Sequence, residues 1–295
     1  MALDFSQIGR TSPPRKQSWR SDDALLYALG VGAGSEDPYG SDLPYVAENT
    51  RGVEQRVLPT FVTILARSPR RDLGLQGMDL ARMVHGEQSI DVFDEIPTSG
   101  SVTVQSRLEG IYDKGTGAVI EMATSGTSEG RPLFESRMTL YVRGAGGFGG
   151  EPSGARDHDA ELAAEPLPQR PPDDVVVYHT RTDQALLYRL SGDHNPLHSD
   201  PDFARAAGFP RPILHGLCTY GFTGRALLRS ICDDQPSLFG HMRSRFTQPT
   251  YPGDVLKISI WDVGDRHSGT YRFETSTESR GVVMGNGVLR TRTPS

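Results

Sequence analysis

Three side chains able to move protons or hold water fall within one short stretch: the carboxylate of Asp193, the amide of Asn195 and the imidazole of His198. Asn195 precedes Pro196, and a residue before proline is pushed out of the helical region toward extended or turn geometry. The stretch is therefore a bent loop. Its bend lets Asp193 and His198 turn toward one small volume, where a carboxyl group and an imidazole can hold a water molecule and shuttle its protons. Taken alone, Asp-x-Asn-Pro is more often a plain turn in which Asp and Asn bond their own backbone. A metal site built from His194 and His198 with Asp193 and Asp200 is also conceivable. The Asn195-Pro196 break denies those groups a common helical face. Asp200-Pro201 reads as an N-cap followed by proline at the first helical position, opening a short helix that ends near Gly208.

Tyr188, Ser191, Gly192, Asp193, Asn195, Pro196, Leu197, His198 and Ala204 together fill a longer pattern, and a second block follows from Pro212 through His215 and Gly216 to Leu217. In order and spacing the two blocks resemble the signature of MaoC-like (R)-specific 2-enoyl-CoA hydratases, also called hydratase 2. The resemblance implies an enzyme that hydrates trans-2-enoyl-CoA reversibly, with syn addition, to (3R)-3-hydroxyacyl-CoA. It implies His198 as base toward the water and Asp193 as proton donor, with the reverse assignment open because such a pair titrates together. Asn195 would orient the loop or help hold the water. Gly216 opens a helix, so its N–H has no partner within that helix and lies at the positive end of the dipole, suited to an oxyanion. Tyr188, Ser191, Gly192 and His215 are candidates for substrate contact, His215 equally as a turn cap. Arg67, Arg70 and Arg71 form a basic cluster that is either a solvated face or a seat for CoA phosphates. No metal or redox cofactor is implied, CoA entering only as part of the substrate. A 3-hydroxyacyl-ACP dehydratase would use the same residues in reverse. A non-catalytic acyl-CoA-binding partner subunit is the alternative from another class, and the intact Asp193/His198 pair speaks against it.

The elements that must position these groups occur twice. Ala24-Leu25-Leu26-Tyr27 is repeated as Ala185-Leu186-Leu187-Tyr188, and Phe93 through Gly100 matches Phe246 through Gly253 in the same order. Two matches in one order point to an internal duplication. Each copy reads as a short helix (22–29 and 183–190), a loop, a central helix (60–67 and 216–231) and three or four strands. The strands are expected at 101–111, 117–125 and 132–142, then at 254–263, 269–278 and 281–292. Val102, Val104, Ser106 and Leu108 show the period of two of a half-buried strand. Helix followed by antiparallel strands is α+β, and the resemblance makes it a double hotdog, each sheet wrapped round its central helix. Gly221 and Gly224 leave one helix face without bulk, on which a sheet could lie closely. A Gly-, Pro- and Ala-rich stretch, 144–172, reads as an extended linker over the surface. It divides an N-terminal hotdog (1–143) from a catalytic one (173–295).

Only the second copy keeps the reactive groups. Gly32 stands opposite Asp193, Gly34 opposite Asn195 and Asp37 opposite His198, so one site per chain is expected, with the first copy accommodating the acyl chain. Changes at Gly32 or Asp37 are expected to leave the chemistry nearly intact. The chain has 36% hydrophobic and 23% charged residues and a net charge of −6. That balance argues against general nucleic-acid binding, and no apolar run is long enough for a membrane span. Cys218 and Cys232 lie about four turns apart on one expected helix, too far for a disulfide, which favours reduced thiols. With no leader-like pattern at Met1–Phe5, the expectation is a cytoplasmic homodimer. Gly126-Thr127-Ser128-Glu129-Gly130 fits the hydrolase elbow and Gly144 through Gly149 a dinucleotide loop. The first sits between expected strands and the second opens no helix, so neither is read as a site.

Overall fold

A computed structural model describes residues 3–67, 70–75, 82–154, 158–264 and 269–292, without the side chains of 70, 71, 158 and 159. The strands are β1 (Arg15–Trp19), β2 (Met83–Val92), β3 (Gly100–Asp113), β4 (Gly117–Ser128), β5 (Arg131–Arg143), β6 (Asp174–His179), β7 (Phe239–Phe246), β8 (Val255–Asp262), β9 (Thr270–Thr277) and β10 (Gly281–Thr291). They form one sheet in the order β1-β3-β4-β5-β2-β7-β10-β9-β8-β6. From either edge inward the order is the same, β1-β3-β4-β5-β2 against β6-β8-β9-β10-β7. The halves meet where β2 pairs antiparallel with β7, Gln88 opposite Ser244 and Asp91 opposite His241. This is the duplication seen in the sequence, written as topology.

The helices are α1 (Ser21–Gly30), α2 (Leu43–Val46), α3 (Val62–Leu65), α4 (His158–Ala164), α5 (Gln184–Tyr188), α6 (Pro201–Ala206) and α7 (Gly216–Cys232). The two central helices differ in a way that matters for function. The first is a 3-10 turn, Pro59–Phe61, continued by the single turn of α3, whereas α7 runs for 17 residues. Phe222, Ala226 and Leu227 of α7 share one core cluster with Leu256, Ile258, Ile260 and Phe273 of the C-terminal sheet. The short first helix leaves much of the N-terminal sheet's inner face without such a filling.

Six strands fall where alternation places them, but four were not anticipated. In β2 the polar run His85 to Ser89 hides any period of two. β6 carries the continuous run Val175–Val177, and β1 is a polar edge strand. The glycine face of α7 also departs from expectation. A Cβ on Gly221 would stand 2.4 Å from Val31 Cγ1 and 2.9 Å from the Tyr27 hydroxyl. One on Gly224 would stand 2.4 Å from Thr60 Cγ2 and 3.5 Å from Met242 Sδ of β7. The bare face thus receives mainly the helical segments of the first copy, where backbones approach closely, rather than a sheet. Beside it, buried Arg225 pairs with buried Asp42 at 2.9 Å and donates to the Val31 carbonyl at 3.0 Å, tying the halves together.

Gly32 is likewise not a free position. Its φ of +80° is one that side-chain-bearing residues rarely adopt, and a Cβ there would lie 2.2 Å from the Phe222 ring. The expectation that it tolerates change holds for its lack of chemistry and not for its packing. The linker is pinned as well. Gly147 and Gly149 N–H groups donate to the Asp113 carboxylate at 2.8 and 2.7 Å. The Arg272 guanidinium donates to the carbonyls of Leu162, Ala163 and Glu165 at the end of α4, a favourable place for a cation. Ser128 ends β4 beside a tight hairpin whose Glu129 and Gly130 both have positive φ, so no nucleophile elbow is built there. Cys218 and Cys232 are buried and unpaired.

Candidate active site

The site grows from the loop between α5 and α6. A 3-10 turn, Arg189–Ser191, ends at Gly192 with φ 107°, a left-handed cap that reverses the chain and presents Asp193. Asn195 then caps the next 3-10 turn, Pro196–His198, its Oδ1 accepting from Leu197 N at 3.1 Å, while its own N–H donates to Asp193 Oδ1 at 3.3 Å. Asn195 thus holds the loop's shape. Asp200 accepts from Asp202 N at 2.8 Å and Phe203 N at 3.2 Å as the N-cap of α6.

Hydrogen bonds fix the histidine tautomers. His198 Nδ1 lies 2.9 Å from the Ile213 carbonyl, which can only accept. Nδ1 must carry the proton, which leaves Nε2 with a lone pair. His215 stacks on His198 with ring centroids 3.7 Å apart. Its Nε2 donates to the Asp193 carbonyl at 3.2 Å, and its Nδ1 has no partner. Burial holds the His198 pKa below that of an ordinary imidazole, against the opposing pull of the Ile213 carbonyl and Asp193. Burial, with His198 alongside, pushes His215 down to about 3. Both rings are neutral near pH 7.

Asp193 has a partner that the sequence did not reveal. Arg67, just past α3 in the first copy, places its guanidinium 3.0 Å from Asp193 Oδ2. The Arg15 guanidinium donates to the Arg67 carbonyl and fixes the chain there. A Cβ at Gly192 would sit 2.8 Å from Arg67 Nη1, so glycine makes room for the pair. Burial pulls the Asp193 pKa up, but Arg67, His215 and His198 outweigh it, and the carboxyl titrates below its usual value. In the resting site Asp193 is ionised. Asp193, His198 and His215 bring acid-base atoms within 4.8 Å of one another. A cation could use that spacing, but the guanidinium already neutralises the carboxylate.

These groups stand at one wall of a cavity of about 960 Å³. Ser191, Gly192, Asp193, Asn195, His198, His215, Gly216 and Arg67 all line it. The Gly216 N–H, at the start of α7, has no acceptor among the described residues, and a Cβ there would meet the Phe246 ring at 3.2 Å. Tyr188 is not in the wall. It is wholly buried behind His215, ring centroids 4.8 Å apart, so it packs the imidazole rather than meeting a ligand. The side chains of Arg70 and Arg71 lie outside the described residues, and their backbone forms part of a 3-10 turn, Arg70–Leu73. Sequence reasoning missed His85, Phe246 and the inner face of β2 to β5, which complete the cavity. His85 packs edge-on against Phe246 at 4.9 Å, and burial pushes its pKa down to about 4.

The ion pair makes a prediction. If Asp193 must be ionised for turnover, Arg67→Ala removes the charge that keeps its pKa low and leaves the burial that raises it. The acid limb of the kcat/KM profile should then move to higher pH by about one unit, and Arg67→Lys should restore most of the shift. An unchanged profile in Arg67→Ala would show that the pair does not tune the site.

A sheet doubled about β2 and β7, with an acid-imidazole pair at the mouth of an inner cavity, defines a double hotdog with one acid-base site. A Mycobacterium tuberculosis structure described as a double hotdog fold superposes over 98% of this chain with a TM-score of 0.59 at 13% identity. The family model for the MFE-2 hydratase 2 N-terminal domain matches residues 18–144, and that for the MaoC like domain matches residues 163–283. The 3-hydroxyacyl-thioester dehydratase Y of M. tuberculosis is 41% identical over 88% of this chain and 88% of its own length. The peroxisomal enoyl-CoA hydratase 2 of Arabidopsis thaliana is 38% identical over 92% of this chain and 91% of its own. A MaoC-like dehydratase from Phytophthora capsici is 27% identical, with a TM-score of 0.82 over 99% of this chain and 98% of its own. The chain belongs to the MaoC-like, double-hotdog (R)-hydratase family.

The comparisons overturn one expectation. The Arabidopsis relative is peroxisomal by name, as are multifunctional enzymes from mouse and Drosophila melanogaster that also match. A cytoplasmic assignment does not stand. Its strongest ground was a pair of reduced thiols, and buried, unpaired cysteines suit any compartment that keeps thiols reduced.

Proposed function

We propose that this chain is an (R)-specific 2-enoyl-CoA hydratase that adds water syn across trans-2-enoyl-CoA to give (3R)-3-hydroxyacyl-CoA. The observation that carries the reading is the pairing of an ionised Asp193 with a neutral His198 whose free Nε2 faces the same cavity. Two acceptors can grip the two hydrogens of one water. As its oxygen attacks C3, one of them takes a proton and delivers it to C2. Asp193 therefore donates only a proton it has first received, which refines its role as donor. His198 Nε2 is the base toward the water. The Gly216 N–H receives the enolate-like charge on the thioester oxygen, aided by the dipole of α7. Because water and proton come from one face, addition is syn.

Residues 1–143 form a hotdog that has lost its reactive groups and, with its shortened helix, houses the acyl chain. Residues 144–172 are the linker and 173–295 the catalytic hotdog. Two chains associate as a homodimer. Among the described residues no helix is long and apolar enough to cross a membrane. The same groups run the reaction backwards, and the relative named a 3-hydroxyacyl-thioester dehydratase favours keeping that direction open. The test is the loss of enoyl-thioester absorbance with purified protein and crotonyl-CoA. Turnover supports the reading, and no turnover of any CoA ester by folded protein would refute it.

A further inference from the structure

The inner face of the N-terminal sheet carries a feature that the hydration chemistry does not use. Ser106 of β3 is the cross-strand partner of Thr124 of β4, and Thr124 is the partner of Ser136 of β5. The three hydroxyls thus form a row across three strands. Ser106 and Thr124 share a 2.7 Å hydrogen bond. Gln88 of β2 extends the row, its amide donating to Ser136 Oγ at 2.9 Å and to the Ser89 carbonyl at 2.8 Å. All four residues are buried, and all four line the cavity that holds Asp193 and His198.

A hydroxyl row on this face is costly unless something answers it. A hydroxyl offers one donor and two acceptor sites, so the bonds within the row leave capacity unused. Gln88 Oε1 accepts no bond among the described residues. On the C-terminal sheet, Ile260 and Phe273 form a cross-strand pair on strands β8 and β9 and pack within the core around α7. The row cannot be explained as the seat of a helix, because α3 is a single turn. A plain alkyl chain lying on it would strip it of water and return nothing.

We propose that the row is a specificity site for an oxygen-bearing acyl tail, and that the preferred substrates are enoyl-CoA esters with a hydroxyl or keto oxygen partway along the acyl group. The tail enters past Asp193 and His198, and its oxygen exchanges hydrogen bonds with Ser106, Thr124, Ser136 and Gln88. Met122, Met138 and Leu140 beside the row cover the carbon skeleton. This deepens the hydratase reading and rests on it.

The test compares kcat/KM for plain decenoyl-CoA with that for decenoyl-CoA esters whose hydroxyl or keto oxygen is moved carbon by carbon along the tail. The wild type should prefer at least one oxygenated isomer by about fivefold or more, the worth of one net hydrogen bond. In Ser106→Ala/Thr124→Val/Ser136→Ala that ratio should fall to about one. Thr124→Val alone, nearly unchanged in shape, serves if the triple variant does not fold. Titrating the same esters onto Asp193→Asn by calorimetry reads tail recognition without turnover. Turnover of crotonyl-CoA by the wild type separates the two questions, since it upholds the hydratase whatever the tail preference. Equal or better handling of plain decenoyl-CoA than of every oxygenated isomer overturns the proposal, as does a preference that survives in the variants.

Discussion

Asp193→Asn and His198→Gln should each lower kcat by about a thousandfold or more, because each removes a group that both grips the water and relays its proton, an effect typically worth 10²–10⁴. Neither change should unfold the chain. Asn keeps the Oδ1 acceptor that receives Asn195 N, and Arg67, about a third exposed, remains solvated without its partner. Gln can still donate toward the Ile213 carbonyl that now receives His198 Nδ1. The double variant should be little worse than either single one, since the two groups act as a unit. Full activity in either folded single variant would remove that residue from the mechanism. Loss of activity together with loss of cooperative thermal unfolding would mean instead that the residue serves the fold.

The second large effect falls on stability. Gly32→Ala should destabilise the protein by about 3 kcal/mol or more, combining a left-handed backbone with a methyl group driven into the Phe222 ring. Urea unfolding would show a lower midpoint with an unchanged slope. At a temperature where the variant is still folded, its kcat should remain close to that of the wild type, since Gly32 touches no reacting group. A stability within about half a kcal/mol of wild type would mean that α1 and α7 can separate at no cost, against the close packing seen at Gly221. The chemically equivalent position in the second copy is Asp193. Duplication has thus left one loop built to hold a charge and its twin built to hold an aromatic ring.

The contrast shows what could be read from the chain alone. The Asp193–His198 stretch was legible because proline, glycine and asparagine dictate a local bend, and local bends can be read locally. The long strands β3, β4 and β5 were legible because burial on one face imprints a period of two. What escaped depends on contacts between distant segments. Arg67 reads as a surface cation until the first copy is folded against the second, some 126 positions away in the chain (193 − 67). Tyr188 occupies a motif position and so was taken for a substrate contact, although its ring only backs His215. Gln88 lies in a strand whose polar run masks its pairing, and the Ser106–Thr124–Ser136 row exists only once three strands are in register.

The most direct test of the account is to hydrate crotonyl-CoA in deuterated water and determine the product's configuration at C3 and the position of the deuterium at C2. A single water held between Asp193 and His198 on one face predicts the (3R)-hydroxyacyl-CoA with deuterium added syn to the hydroxyl. A (3S) product, or deuterium added anti, would require water and proton from different faces and would contradict the site described here.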